Sequence, residues 1–281
     1  MVAMFIRNFE ARPCDYAEVI PYFVLSPEDP HYTALRKITS DYMYTDIENH
    51  PLGRKKNEGL SRAMSLEWDY LMELGSDTVY TDLLWELLAD YLMCGEPAFG
   101  FRNIYIYEPK LHKAVFEDGY HIGRRDTITA LGPGRCLRRD VVDRCFPLWV
   151  DAAPFGMDGD SDHKLFNCGF PVTVIDNQRL PVLCDVKGSV CLTSWMQWEE
   201  CGEPVDAEWV REVFNIPPYE CHNITNFDAF HTAVLKKSVE TRNKGEAFDY
   251  MNEIHRHQMG FVRYASYESY KNAVSRKYKR G

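Results

Sequence analysis

The chain has 281 residues, enough for one large domain or a domain with an appendage, and at that size a core forms without disulfide or metal staples. Its composition is that of a folded protein, 45% hydrophobic, 14% aromatic and 26% charged, and the net charge of −10 argues against generic polyanion binding as the main task. Nine cysteines without a Cys-x-x-Cys pair make no secreted framework, and no run approaches the about 20 apolar residues of a membrane helix, so the expectation is a soluble, cytoplasmic protein.

Val2, Phe5, Ile6 and Phe9 share one helical face, which predicts an amphipathic helix over the first dozen residues, ended before Pro13. Ala17–Ser26 is a short apolar run closed by Ser-Pro and reads as a buried strand. A polar helix to Ser40 and a second strand at Tyr42–Asp46 follow. Pro51, Gly53 and Asn57 mark a loop that opens a helix, and Trp68–Leu74 reads as a third strand that stops on Gly75-Ser76-Asp77-Thr78. Apolar residues at 83, 84, 87, 88, 91 and 92 form a helical stripe over Asp82–Met93.

Ala98–Tyr107, rich in β-branched and aromatic residues, predicts a strand, with Lys113–Glu117 pairing with it or with Ile128–Leu131. Helices are expected over Arg138–Leu148 and Ser161–Cys168, the second stopped by Gly169, and then short strands at Pro171–Asp176 and Pro181–Val186. This alternation implies βαβ units and a largely parallel sheet. After Trp195 the chain changes character, with Pro204, Pro217 and Pro218, helical stretches over 228–240 and 244–258, and the basic end SRKYKRG. The expected division is a sheet-bearing domain over 1–195 and a helical appendage over 196–281.

In open α/β sheets ligands bind at the carboxyl ends of strands. Three predicted strand ends carry polar groups: Ser26 to Asp29, Asp46 with Asn49, and Gly75-Ser76-Asp77. A strand that stops on Gly-Ser-Asp presents one carboxylate, enough with substrate phosphates to hold a divalent cation. The plainer alternative is a turn or helix cap, a role that Asp82 can also fill. Just upstream, Arg54, Lys55 and Lys56 precede Asn57-Glu58-Gly59-Leu60, and cations with backbone amides at a helix start favour a diphosphate. A solvated basic patch is the alternative there.

The passage PLGRKKNEGLSRAMSLEWDYLMELGSDTV, residues 51–79, resembles the central donor-site passage of GT-A fold glycosyltransferases, particularly the large inverting family 2 type. In that family an Asn-x-Gly-Leu helix leads into an apolar strand that ends in an Asp-x-Asp motif. The resemblance implies a GT-A-like, mostly parallel sheet flanked by helices, with a C-terminal helical appendage. It also implies a nucleotide-diphosphate sugar donor and a divalent cation, Mn²⁺ or Mg²⁺, held by Asp77; Gly75 stands where the first acid of the motif would be. On this reading Ser26 and Asp29 supply nucleoside contacts, and Lys55, Asn57, Gly75, Ser76 and Asp77 line the donor site. The family opens with a strand where this chain opens with a predicted helix; the expectation is that this first strand is missing, with an incomplete chain start or a different alignment of the N-terminus as the alternatives.

GPGRCLRRDVVDRCFPLW resembles the family's segment beside the acceptor, and FGMDGDSDHKLFNCGFPVTVID its second acidic motif, in which Asp158 and Gly169 match a spacing of about eleven residues. Asp158 would then be the base that deprotonates the acceptor, with Asp160 or Asp162 as substitutes; an acidic loop capping the helix at Ser161 is the alternative. A calcium loop fails, because His163 stands where its glycine is needed. Among Arg135, Arg138 and Arg139, Arg138 is the candidate for stabilising phosphate charge, with ion pairs to Asp140 and Asp143 as the competing use of such a cluster.

The expected function is inverting, metal-assisted transfer of a sugar from a nucleotide-diphosphate sugar to an unknown hydroxyl acceptor. Two alternatives stay open. One is a viral-type glycosyltransferase acting on modified DNA bases, which the basic residues Lys271, Arg276, Lys277, Lys279 and Arg280 favour and the pI of about 5.4 opposes. The other is a degenerate, non-catalytic binding module. His255, His257, Cys221 and His222 match no zinc spacing, and the serine-hydrolase, P-loop and dinucleotide motifs are absent. Asn223-Ile224-Thr225 is a glycosylation pattern that would need secretion to matter.

Overall fold

The computed structural model describes residues 2–29, 31–48, 51–119, 130–151, 157–187, 195–217, 227–259 and 262–278. It is a mixed α/β protein. The chain divides into a larger unit, Phe5–Ile216, and a smaller one formed by Pro217–Gly281 with Met1–Met4. The predicted 128–129, Asn49, Pro218, Cys221, His222, the 223–225 pattern, Lys279 and Arg280 lie outside the described residues.

The opening apolar stripe forms α1 (Val2–Glu10), whose Phe5 meets Phe23 edge-on at 6.0 Å and whose Phe9 meets Tyr42 at 6.5 Å. These rings hold a two-stranded parallel sheet of β1 (Tyr22–Leu25) and β2 (Met43–Asp46), joined through α2 (Tyr32–Ile38). Next come α3 (Leu52–Ala63), β3 (Tyr70–Glu73), β4 (Thr78–Tyr80) and α4 (Leu83–Cys94), the last closed by Gly95 at φ +75, a left-handed conformation that glycine adopts without strain. Asp82 makes no side-chain capping bond there.

The stretch predicted as one strand at 98–107 is two, β5 (Ala98–Phe101) and β6 (Asn103–Glu108), because the chain passes from one sheet to another at Arg102. β7 (Lys113–Asp118) forms a hairpin with β6. Then follow β8 (Arg135–Arg138), α5 (Arg139–Cys145), α6 (Met157–Asn167), β9 (Thr173–Ile175), β10 (Leu183–Val186), α7 (Trp195–Cys201), β11 (Glu203–Val205) and α8 (Ala207–Val213). Two sheets result, in the orders β11-β7-β6-β10-β4 and β3-β8-β5-β9.

The α/β class agrees with the sequence, but the ladders are mixed and not mostly parallel. Among the described residues β1–β2, β10–β6 and β5–β9 are parallel, whereas β10–β4, β11–β7, β3–β8, β5–β8 and β6–β7 are antiparallel. Alternating strand and helix signals do not reveal short antiparallel insertions such as β4 and β8, which are three and four residues long. β3 and β4 are consecutive in sequence yet lie in different sheets, so the turn at 74–77 bridges the two.

The basic passage is helical from Leu52 onward, where a loop was expected, and its small residues are packing devices. A Cβ at Gly53 would lie 2.0 Å from the Val150 carbonyl oxygen, and one at Gly59 would lie 2.6 Å from Val24 Cγ2. Asn57 is buried between them. Its amide donates to the Trp149 carbonyl at 2.7 Å and to Asp151 Oδ1 at 2.8 Å, and its Oδ1 accepts from the Trp149 amide at 3.2 Å. Leu60 and Trp149 then join Ala98, Leu137, Val141, Val142, Cys145, Leu148 and Leu165 in one core cluster.

The smaller unit contains α9 (Phe227–Thr241), α10 (Lys244–Met259) and α11 (Tyr267–Tyr278), packed around Phe230, Phe248, Met251 and Tyr270. Among the described residues no helix is long and apolar enough to cross a membrane.

Asn57→Ala leaves the Trp149 backbone groups buried without their partner. The expected result is a loss of about 1–3 kcal/mol of unfolding free energy, read from urea denaturation; an unchanged midpoint would show that the side chain is not structural.

Candidate functional site

The turn after β3 is closed by backbone, with Thr78 N donating to Gly75 O at 3.1 Å. Any side chain at Gly75 would crowd it, since a Cβ there would lie 2.5 Å from Asp77 Oδ1 and 3.0 Å from Thr78 Oγ1. Ser76 is exposed at the tip. The Asp77 carbonyl accepts from the Val186 amide at 2.8 Å, which pins the turn to the carboxyl end of β10.

That backbone bond brings three charged side chains together. Lys187 Nζ lies 3.2 Å from Asp185 Oδ2 and 3.9 Å from Asp77 Oδ2. Thr78 Oγ1 donates to Asp185 Oδ1 at 2.7 Å. The ammonium also faces the Trp198 ring, 5.7 Å from its centroid. The Lys187 side chain is 6% exposed, and that of Asp77 is 26% exposed. Sequence reading took Pro181–Val186 as a plain strand and missed both Asp185 and Lys187. The one available signal was a pair of charges at alternate positions, where an apolar strand ends.

A second group lies at the end of β3. Glu73 stands opposite Arg135 in the β3–β8 ladder, and its carboxylate pairs with Lys56 from α3. Lys56 also lies over the Trp149 ring at 5.0 Å. Burial pulls the Lys56 ammonium down, to about 8, and the nearby charge of Asp158 acts the other way.

Asp158 was expected in a loop and instead occupies the first turn of α6. Its carboxylate lies against Gly132, where a Cβ would be 2.5 Å from Asp158 Oδ1. Gly134 in the same loop donates its amide to Glu73 O at 2.7 Å. Arg135 holds α6 in place: its guanidinium donates to Ser161 Oγ, to Ala130 O at 2.9 Å and to Asp158 O at 3.3 Å, and it pairs with Asp162 at 2.9 Å. Both charged side chains of that pair are buried, so Asp162 is committed to Arg135, whereas Asp160 is exposed.

Arg138 sits at the other end of β8, about 10 Å along the strand from Arg135. It contacts Asp140 at 2.7 and 2.9 Å and donates to Gly95 O, and Arg139 pairs with Asp143 at 3.0 Å. These are the ion pairs weighed as the alternative use of the cluster, and the arginine beside Asp158 is Arg135.

Ser26, Asp29 and Lys55 gather at the end of β1. Ser26 is buried and its hydroxyl has no hydrogen-bond partner among the described residues; its carbonyl accepts from Asp29 N at 3.0 Å. Burial lowers the pKa of Lys55, and the charges of Asp29 and Glu28 oppose that shift. Asn57 is separate from this group, its side chain being fully engaged with Trp149 and Asp151. In the basic tail Lys271 pairs with Glu268 at 2.5 Å and Lys277 with Asp228 at 2.6 Å. Among the described residues no group of three or more His, Cys, Asp and Glu side chains could hold a metal.

No protein-family model matches the sequence, and no curated protein matches it. Solved structures do. Residues 1–349 of S. aureus TarS in complex with UDP-GlcNAc are 8% identical, with a TM-score of 0.48, covering 98% of this chain and 76% of that one. The same TarS fragment in complex with UDP is 9% identical with a TM-score of 0.46, covering 100% and 88%. A longer TarS chain is 8% identical with a TM-score of 0.47, covering 93% and 42%.

Asp162→Asn leaves the Arg135 guanidinium buried without its counter-charge and is expected to cost about 3–5 kcal/mol of stability. Arg138→Ala, at a more exposed pair, is expected to cost much less. Urea denaturation of the two variants side by side checks the contrast, and equal losses would refute it.

Proposed function

We propose that this chain is a nucleotide-sugar glycosyltransferase that transfers the sugar of a nucleotide-diphosphate donor, with inversion, to a hydroxyl acceptor. The observation that carries this reading is the gathering of Asp77, Asp185 and Lys187 at one turn with Asp158, Lys56 and Arg135 at the neighbouring strand end. Asp77 follows Glu73 by four residues, which keeps their Cα atoms within about 14 Å. That span suits a diphosphate sugar with the cations at the phosphates and a carboxylate at the acceptor.

Inverting transfer forms one bond, from the acceptor oxygen to the anomeric carbon, and breaks one, from that carbon to the diphosphate oxygen. The acceptor's proton goes to a base, and the departing diphosphate takes the electron pair as negative charge. On this reading Asp158 is the base. It lies against the Gly132 backbone, and Arg135 positions it by holding the first turn of α6. Lys56, between Glu73 and the Trp149 ring, adds positive charge on the donor side. Ser26, Asp29 and Lys55, at the end of β1, would take the nucleoside.

Thermal unfolding in the presence of nucleoside diphosphates and nucleotide sugars tests this directly. At least one should raise the Tm, Asp77→Ala should weaken the shift, and Asp158→Asn should keep the shift while losing sugar transfer and donor hydrolysis. If no nucleotide produces a shift, the reading is wrong. Diphosphate binding favours the Lys56 ammonium, which is present below about 8 and lost as the pH rises through that value. The nucleotide-dependent shift should therefore shrink as the pH passes 8, and Lys56→Arg should flatten that profile.

A further inference from the structure

The resemblance in sequence implies a divalent cation at Asp77, and the side chains at the turn do not fit one. A Mg²⁺ site needs oxygens in near-octahedral array at about 2.0–2.1 Å. Here the carboxylates of Asp77 and Asp185 converge on an ammonium, that of Lys187, at 3.9 and 3.2 Å. The other oxygen of Asp185 accepts from Thr78 Oγ1 at 2.7 Å. The position where the resemblance would put a further acid is Gly75, which supplies no oxygen ligand from a side chain.

The position between the carboxylates is therefore a built ammonium site. Lys187 follows directly on β10, and its backbone is held by donation from its amide to Tyr107 O at 2.7 Å. Its side chain is 6% exposed and has the face of Trp198 beside it. A carboxylate neighbour keeps a buried lysine charged, and burial preserves the strength of that charge by excluding screening water. A lysine held by a carboxylate is an effective partner for phosphate oxygens, as the Lys–Glu pair of protein kinases illustrates.

We infer that Lys187 is the resident cation of the donor site, meeting the diphosphate charge itself, so that donor binding does not depend on a divalent metal ion. Asp77 and Asp185 are its positioning residues. The inference rests on the glycosyltransferase reading and deepens it.

The test is thermal unfolding of the full chain with ADP, GDP, CDP, UDP and dTDP, first in excess EDTA and then with MnCl₂ or MgCl₂. The expected result is that the nucleotide that stabilises the protein does so in EDTA, with an apparent affinity within about threefold of that in Mn²⁺. Lys187→Gln should remove the EDTA shift and Lys187→Arg should retain it. The wild-type comparison needs no variant, so it decides the matter even if Lys187→Gln fails to fold. A wild-type shift that appears only with metal, or an EDTA shift that persists in Lys187→Gln, overturns this inference and leaves the glycosyltransferase reading standing. No shift in either buffer overturns both.

Discussion

A buried guanidinium must be surrounded by acceptors, and that requirement at Arg135 organises the site end of the protein. The side chain is 2% exposed and reaches Asp162, Ser161 Oγ and the carbonyls of Ala130 and Asp158. These groups come from α6 and from the loop that leads into β8, so one cation draws both against the sheet. Removing either partner would leave a desolvated charge, which is far costlier than losing an exposed pair. The placement of Asp158 follows from this interaction, since its own carbonyl is one of the acceptors.

The turn at 75–77 depends on a different constraint. β3 ends in one sheet and β4 begins in the other, so the chain must reverse its lateral neighbours within a few residues. Gly75 permits the tight packing against Asp77 and Thr78, and the bond from Val186 N to Asp77 O ties the turn to β10. The charged cluster is a by-product of joining two sheets there. Asp185 in β10, and Lys187 directly after it, come from more than a hundred residues away in sequence.

Much of the local structure was readable. The apolar stripes at 2–9 and 83–92 predicted α1 and α4, and Gly95 and Gly169 end their helices at φ +75 and +87. The run before Gly75 predicted β3 within a residue or two at each end. The Asn57-x-Gly59-Leu60 pattern was legible as a unit, but its physical use here is packing: the amide binds the Trp149 backbone, the glycine admits Val24, and the leucine enters the core. Arg135 could not be told from Arg138 and Arg139 by sequence, because three arginines within five positions differ only in which way the strand and the helix turn them.

Local periodicity and turn chemistry are properties of neighbouring residues, and so the sequence by itself determined the α/β class, most helices, and the abrupt strand end at Gly75-Ser76-Asp77. Sheet pairing and side-chain convergence depend on residues far apart in the chain, and only the tertiary structure decided those. It made the ladders mixed, separated β5 from β6 at Arg102, and placed Arg138 at the far end of β8. It also set Lys187 between Asp77 and Asp185, a meeting that no spacing within the sequence encodes.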